Sequence, residues 1–174
     1  MRPVIIAILG HKNSGKTTLI EYLTRELVNK GLKVVTMKHI HHDFFEVDKE
    51  GKDTWRHKRA GATIVSGVSK KRLVIISDEV SELNDAFEEV MNYLKAKNPD
   101  VILLEGFLPI VGSRKDIMKV VIARSVDEAK FFLQNIREGL LGIIKRESFT
   151  TNDLNIPILT EQKLLETILK IWEA

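Results

Sequence analysis

Residues 10–17, Gly10-His11-Lys12-Asn13-Ser14-Gly15-Lys16-Thr17, match G-x-x-x-x-G-K-[ST] in full. No other stretch constrains the fold as much, because this loop works only between a strand and a helix. Both neighbours have that character. Val4-Ile5-Ile6-Ala7-Ile8-Leu9 is a continuous apolar run, as expected of a strand buried on both faces. After the loop, Leu19, Ile20, Leu23, Leu27 and Val28 fall on one helical stripe, with Glu21, Arg25, Glu26 and Lys30 between them. The two glycines let the backbone curl so that successive N–H groups converge on an anion at the helix N-terminus. Lys16 is then expected to reach β- and γ-phosphates, the Thr17 hydroxyl to ligate Mg²⁺, and Thr18 to lie near an α-phosphate. Lys12 lacks the Lys-Gly-Gly context of dimerising P-loop ATPases and is expected to be solvated.

Strand-like and helix-like stretches alternate beyond the loop. Gly31 is placed to end the first helix, and residues 33–38 read as a second strand. Residues 53–60 suggest a short helix with Asp53 near its N-cap. Short strands follow at 62–65 and 73–76. Ser81, Leu83, Phe87, Val90, Met91 and Leu94 give a capped amphipathic helix that ends before Asn98-Pro99. Strands are expected at 101–104, 120–123, 140–144 and 156–159, and Leu164, Leu165, Ile168, Leu169 and Trp172 stripe a closing helix. This order predicts an α/β fold: a P-loop NTPase-like three-layer sandwich, its mainly parallel sheet covered by helices on both faces. With 174 residues and no linker rich in Gly, Ser or Pro, residues 1–174 are expected to form a single P-loop nucleotide-binding domain. The absence of cysteine excludes disulfides and thiolate zinc sites and fits a reducing compartment. No apolar run approaches the ~20 residues of a membrane span. A cytoplasmic protein without a membrane association is the expectation.

A P-loop protein needs a carboxylate to hold the Mg²⁺ shell. Asp100-Val101-Ile102-Leu103-Leu104-Glu105-Gly106 supplies one, an apolar strand ending in an acid and a glycine, and Glu105 is the candidate. Between the second strand and residue 57, His39, His41, His42 and His57 interleave with Asp43, Asp48, Glu50 and Asp53. The segment reads as a switch or substrate loop, a transition-metal site, or a solvated polar loop. In the switch reading Asp43 orients a water or completes the Mg²⁺ shell. The formal charge is only +3, yet Lys52, Arg56, Lys58, Arg59, Lys70, Lys71 and Arg72 face only Asp53 between residues 52 and 72. With Trp55 among them they form either a patch for an anionic ligand or a solvated helix face and turn. Aromatic content of 6% and the short basic stretch make nucleic acid an unfavoured partner.

Taken together, residues 10–18, Lys38-His39-Ile40-His41-His42-Asp43-Phe44, Asp48-Lys49-Glu50-Gly51-Lys52-Asp53-Thr54, Ala60-Gly61-Ala62 and Leu104-Glu105-Gly106-Phe107 resemble the MobB family of molybdopterin-guanine dinucleotide biosynthesis adaptors. The phosphate loop is shared with many unrelated proteins, whereas the histidine-rich stretch and its sequel are specific. The resemblance implies a dimeric GTP-binding protein with weak GTPase activity. It would assist the guanylyltransferase MobA in joining GMP to molybdopterin, and molybdopterin itself or molybdoenzyme-associated proteins are further implied partners. Carried over by residue, Gly10, His11, Lys12, Asn13, Ser14, Gly15, Lys16, Thr17 and Thr18 would hold GTP. Thr17, Glu105 and Asp43 would serve Mg²⁺, and Lys16 and Asp43 the chemistry. The likeness stops near residue 110. No Asn-Lys-x-Asp loop follows the strand at 140–144, where Lys145-Arg146-Glu147 and later Asn152-Asp153 stand instead, so the choice of guanine rests on the resemblance alone. A small-molecule kinase with Asp43 as base, or a nickel-delivering GTPase, are the competing functions. The absence of an arginine-rich lid counts against the first and the absence of cysteine against the second.

Overall fold

The computed structural model describes residues 2–41, 47–80, 82–150 and 154–174. They form strands β1 (Val4–Leu9), β2 (Val34–Lys38), β3 (Ile64–Val68), β4 (Leu73–Ser77), β5 (Val101–Glu105), β6 (Met118–Ala123) and β7 (Leu140–Lys145). The helices are α1 (Lys16–Asn29), α2 (Asp53–Arg59), α3 (Leu83–Ala96), α4 (Leu108–Val111), α5 (Val126–Asn135) and α6 (Glu161–Glu173). Two compact units result, Met1–His39 with Tyr93–Ala174, and Ile40–Asn92.

The first unit holds a five-stranded sheet in the order β2-β5-β1-β6-β7. All four pairings are parallel. β1 and β5 are buried along their whole length, which is why both read as unbroken apolar runs. The chain leaves β1 toward β2 on one side and leaves β6 toward β7 on the other. Right-handed crossovers therefore put α1 and α5 on opposite faces of the sheet. Packing agrees with that rule. Val4, Ile6 and Ile8 join Leu103, Val120 and Ile122 in one core with Leu19, Leu23 and Leu27 of α1 and Leu164, Leu165 and Ile168 of α6. Val121 and Ala123 alternate to the other face, that of buried Ala129 and Phe132 of α5. The expected α/β sandwich, mainly parallel with helices on both faces, is thus present.

In the second unit β3 and β4 form a separate antiparallel hairpin, and α2 carries the cluster Arg56, His57, Lys58 and Arg59 in its last turn. The expected strand at 156–159 shrinks to one parallel bridge between Ile158 and Ile143. Two helices escaped the sequence reading. α4 has only four residues, too few for a periodic stripe. α5 had a local signal that was passed over: Ser125 and Glu128 stand at capping-box spacing, and the Ser125 hydroxyl accepts from the Glu128 amide. The expected cap of α3, Ser81, lies outside the described residues. No described helix is long and apolar enough to cross a membrane.

Candidate functional site

Parallel strands deliver their carboxyl ends to one edge, and the order of this sheet reverses at β1. Open α/β sheets form their ligand crevice at such a point. Residues 10–17 leave β1 there. Asn13 and Gly15 take left-handed conformations, φ 61° and 87°, curling the backbone into the N-terminus of α1. A side chain on Gly10 would meet Ser14 Oγ at 2.5 Å and the Ile122 carbonyl at 2.7 Å. Close approach thus demands glycine at position 10, where the backbone φ of 157° is also one that other residues rarely adopt. No side-chain oxygen caps α1, whereas Ser125 caps α5 and Thr160 caps α6. Ser14 Oγ is buried and hydrogen-bonds to no described residue. An uncapped helix start beside an orphaned hydroxyl suits an anion. Lys16 folds back so that its Nζ donates to the His11 carbonyl at 2.7 Å. Burial pushes the Lys16 ammonium below its ordinary pKa; Glu105 opposes that shift, while Lys38 and Arg124 add to it. Lys12 and Thr18 are exposed, as expected of Lys12.

Glu105 ends β5, and its neighbours are set by register. Its Cα partners are Ile8 in β1 and Lys38 in β2. Only 8% of Glu105 is exposed. Its two carboxylate oxygens each accept from Thr17 Oγ1 at 3.1 Å, and Oε1 also accepts from Lys38 Nζ at 3.0 Å. Thr17 and Glu105 thereby bring hard oxygen donors together beside the loop, the donor chemistry Mg²⁺ prefers. The following Gly106, at φ 87°, passes with room for a Cβ only 3.3 Å from that of His39. The His39 ring stacks on Phe107 at 5.1 Å.

Further basic groups reach the same edge. Arg124 follows β6 and is held by Glu128 at 2.6 Å. Arg146 follows β7: one guanidinium nitrogen lies 3.4 Å from the Gly15 carbonyl, and another pairs with Glu161 at 2.7 Å. His11 packs against Phe131 and Phe132 at 5.3 and 5.1 Å. Sequence reasoning missed Arg124 and passed over Arg146, because only the sheet order brings the ends of β6 and β7 to the loop. His42 and Asp43 lie outside the described residues. Described His41 and His57 are exposed, and among the described residues no group of three or more His, Asp or Glu could hold a metal ion.

The sheet order, the loop at the end of β1 and the acid ending the adjacent β5 define a P-loop nucleotide-binding α/β fold. Comparison with known proteins narrows the class. A family model described as "Molybdopterin guanine dinucleotide synthesis protein B" (MobB) matches residues 5–146. The chain is 34% identical over 164 residues to a putative molybdopterin-guanine dinucleotide biosynthesis adapter protein of Methanocaldococcus jannaschii, covering 94% of this chain and 64% of the relative. It is 33% identical over 120 residues to the molybdopterin-guanine dinucleotide biosynthesis adapter protein of Haemophilus influenzae, covering 69% and 63%. The crystal structure of Bacillus subtilis MobB superposes with a TM-score of 0.71 at 26% identity over 96% of both chains. The chain belongs to the MobB family. It spans just under two thirds of the length of the two curated relatives.

Proposed function

We propose that this protein is a GTP-binding accessory protein of molybdenum cofactor biosynthesis. In this reading it assists a guanylyltransferase of the MobA kind in attaching GMP to molybdopterin, and hydrolyses GTP weakly. The observation that carries the reading is the arrangement of Lys16, Thr17 and Glu105 around the loop end of β1, in a chain of the MobB family. Residues 10–18 would wrap the phosphates, with the Ser14 hydroxyl and the first amides of α1 donating to their oxygens. Lys16 would leave the His11 carbonyl for the β- and γ-phosphates. Thr17 and Glu105 would hold Mg²⁺, which when bound neutralises phosphate charge and orients the terminal group. Asp43, outside the described residues, is proposed to orient a water or complete the Mg²⁺ shell. Residues 1–174 would act as one nucleotide-binding domain in the cytoplasm, with Ile40–Asn92 following β2 in the chain.

The same proposal includes a homodimer. On the hairpin, Ile64, Val68, Leu73 and Ile75 share one face by register and are 51%, 79%, 48% and 59% exposed. An apolar sheet face of this kind favours association.

Equilibrium binding of GTP, ATP and molybdopterin, with turnover followed in the presence and absence of the partner guanylyltransferase, tests the function. GTP is expected to bind in preference to ATP, turn over slowly, and support the partner's reaction. Lys16→Ala is expected to abolish nucleotide binding with the fold intact, and unchanged affinity would refute the loop assignment. Preference for ATP with fast phosphate transfer to a small alcohol would replace the adaptor reading with a kinase. Tight stoichiometric Ni²⁺ binding would replace it with metal delivery.

A further inference from the structure

Lys38 has no role in the phosphate-loop motif, yet it stands at the centre of the site. It ends β2 directly beside Glu105 in the parallel register. Its Nζ is 3.0 Å from the carboxylate oxygen that also accepts from Thr17. The two partners differ in freedom. The Glu105 side chain is 11% exposed and held by two donors, while that of Lys38 is 56% exposed on a flexible four-carbon stem. A strictly structural pair would tie the edge strand β2 to β5, but five paired positions along the two strands already do that. A half-exposed ion pair adds little to such a ladder.

Charge gives the pair a different meaning, one that rests on the nucleotide reading above. Without ligand, the Lys38 ammonium lies close enough to Lys16 to disfavour the Lys16 charge, and each of the two is parked on a protein oxygen. Such a pair is pre-arranged for a polyanion. Thr17 and Glu105 would hold a dication, whose charge would offset that of the carboxylate and so weaken the hold of Glu105 on the Lys38 ammonium. The terminal phosphate of a triphosphate would then be the anion for Lys38 to meet. A diphosphate places no group there.

We propose that Lys38 is a ligand for the terminal phosphate of the nucleotide, held on Glu105 until a triphosphate and its cation arrive, and is thus the residue by which the site distinguishes GTP from GDP. The test is the affinity of the full-length protein for GDP and for a non-hydrolysable GTP analogue, both with Mg²⁺, by titration calorimetry. Wild type, Lys38→Met, Lys38→Gln, Lys38→Arg and Lys16→Ala are compared, with folding checked by thermal melting. Lys38→Met is expected to weaken the triphosphate analogue by roughly ten- to a hundredfold, the size of one lost charge-assisted contact, and GDP by less than about threefold. Lys38→Gln should behave alike, and stands in if the Met variant misfolds. Lys38→Arg should recover part of the discrimination. An unchanged triphosphate-to-diphosphate ratio, an equal loss for both, or a gain in triphosphate affinity would overturn the proposal. If Lys16→Ala abolishes both affinities while the Lys38 variants keep the ratio, this inference alone fails. If Lys16→Ala also binds normally, the nucleotide reading itself has failed.

Discussion

At the scale of single residues the site is governed by close approach and by shared acceptors. Gly10 is fixed by the Ser14 hydroxyl and the Ile122 carbonyl, which leave no space for a methyl group. Gly10→Ala is expected to lower stability by about 1–3 kcal/mol through overpacking, seen as a lower melting temperature, and to weaken nucleotide binding by moving Ser14. A variant with wild-type melting and affinity would show that the loop accommodates the methyl group at no cost. Lys16, Thr17 and Gly10 could be named from the motif because their spacing is local. Glu105 could be nominated from the acid-glycine strand end, but not its contact with a hydroxyl 88 positions away. Lys38 was legible as the last residue of a strand and the first of the histidine-rich stretch, with no role of its own. Its importance comes from register, which pairs it with Glu105 although 67 positions separate them.

Helices of this fold divide by how their first turns are satisfied. α5 and α6 begin on capping hydroxyls, Ser125 and Thr160, while α1 begins on a left-handed glycine with no side-chain cap on its first amides. α5 is further tied to the edge of the site by Glu128, whose carboxyl is held below its ordinary pKa first by the hydrogen bond from the Arg124 side chain. A carboxylate with a depressed folded value stabilises fully above its ordinary value, here 4.5. That stabilisation is lost as pH falls through the lower folded value. Glu128→Gln is therefore expected to melt about 1–3 °C lower than wild type at neutral pH, given the modest worth of a partly exposed pair. The difference should close as pH drops below the carboxylate range. A gap that persists or widens in acid would contradict this account of Arg124 and Glu128. Amphipathic stripes revealed α1, α3 and α6 in the sequence. α5 was missed despite its capping signal because its apolar face is short, and residues 156–159 form only a bridge because a brief apolar run does not specify pairing.

Across the whole molecule the two compact units pose different problems. The first is a buried core in which sheet order sets which strand ends flank the phosphate-loop motif. The second carries a hairpin with an uncovered apolar face, which the proposed dimer would bury. Ile75→Lys, placing a charge on that face, is expected to shift the protein from dimer to monomer in sedimentation equilibrium while leaving the phosphate loop able to bind nucleotide. A monomeric wild type, or a dimeric variant, would rule the hairpin out as the contact. The sequence by itself determined the α/β class, the phosphate loop, the acid that faces it and the family, because each rests on periodicity or on residues adjacent in the chain. Tertiary structure alone decided that Lys38 and Thr17 share Glu105, and that Arg124 and Arg146 flank the loop. Those contacts join strand ends brought together by parallel pairing and right-handed crossovers, and no local pattern encodes which strand lies next to which.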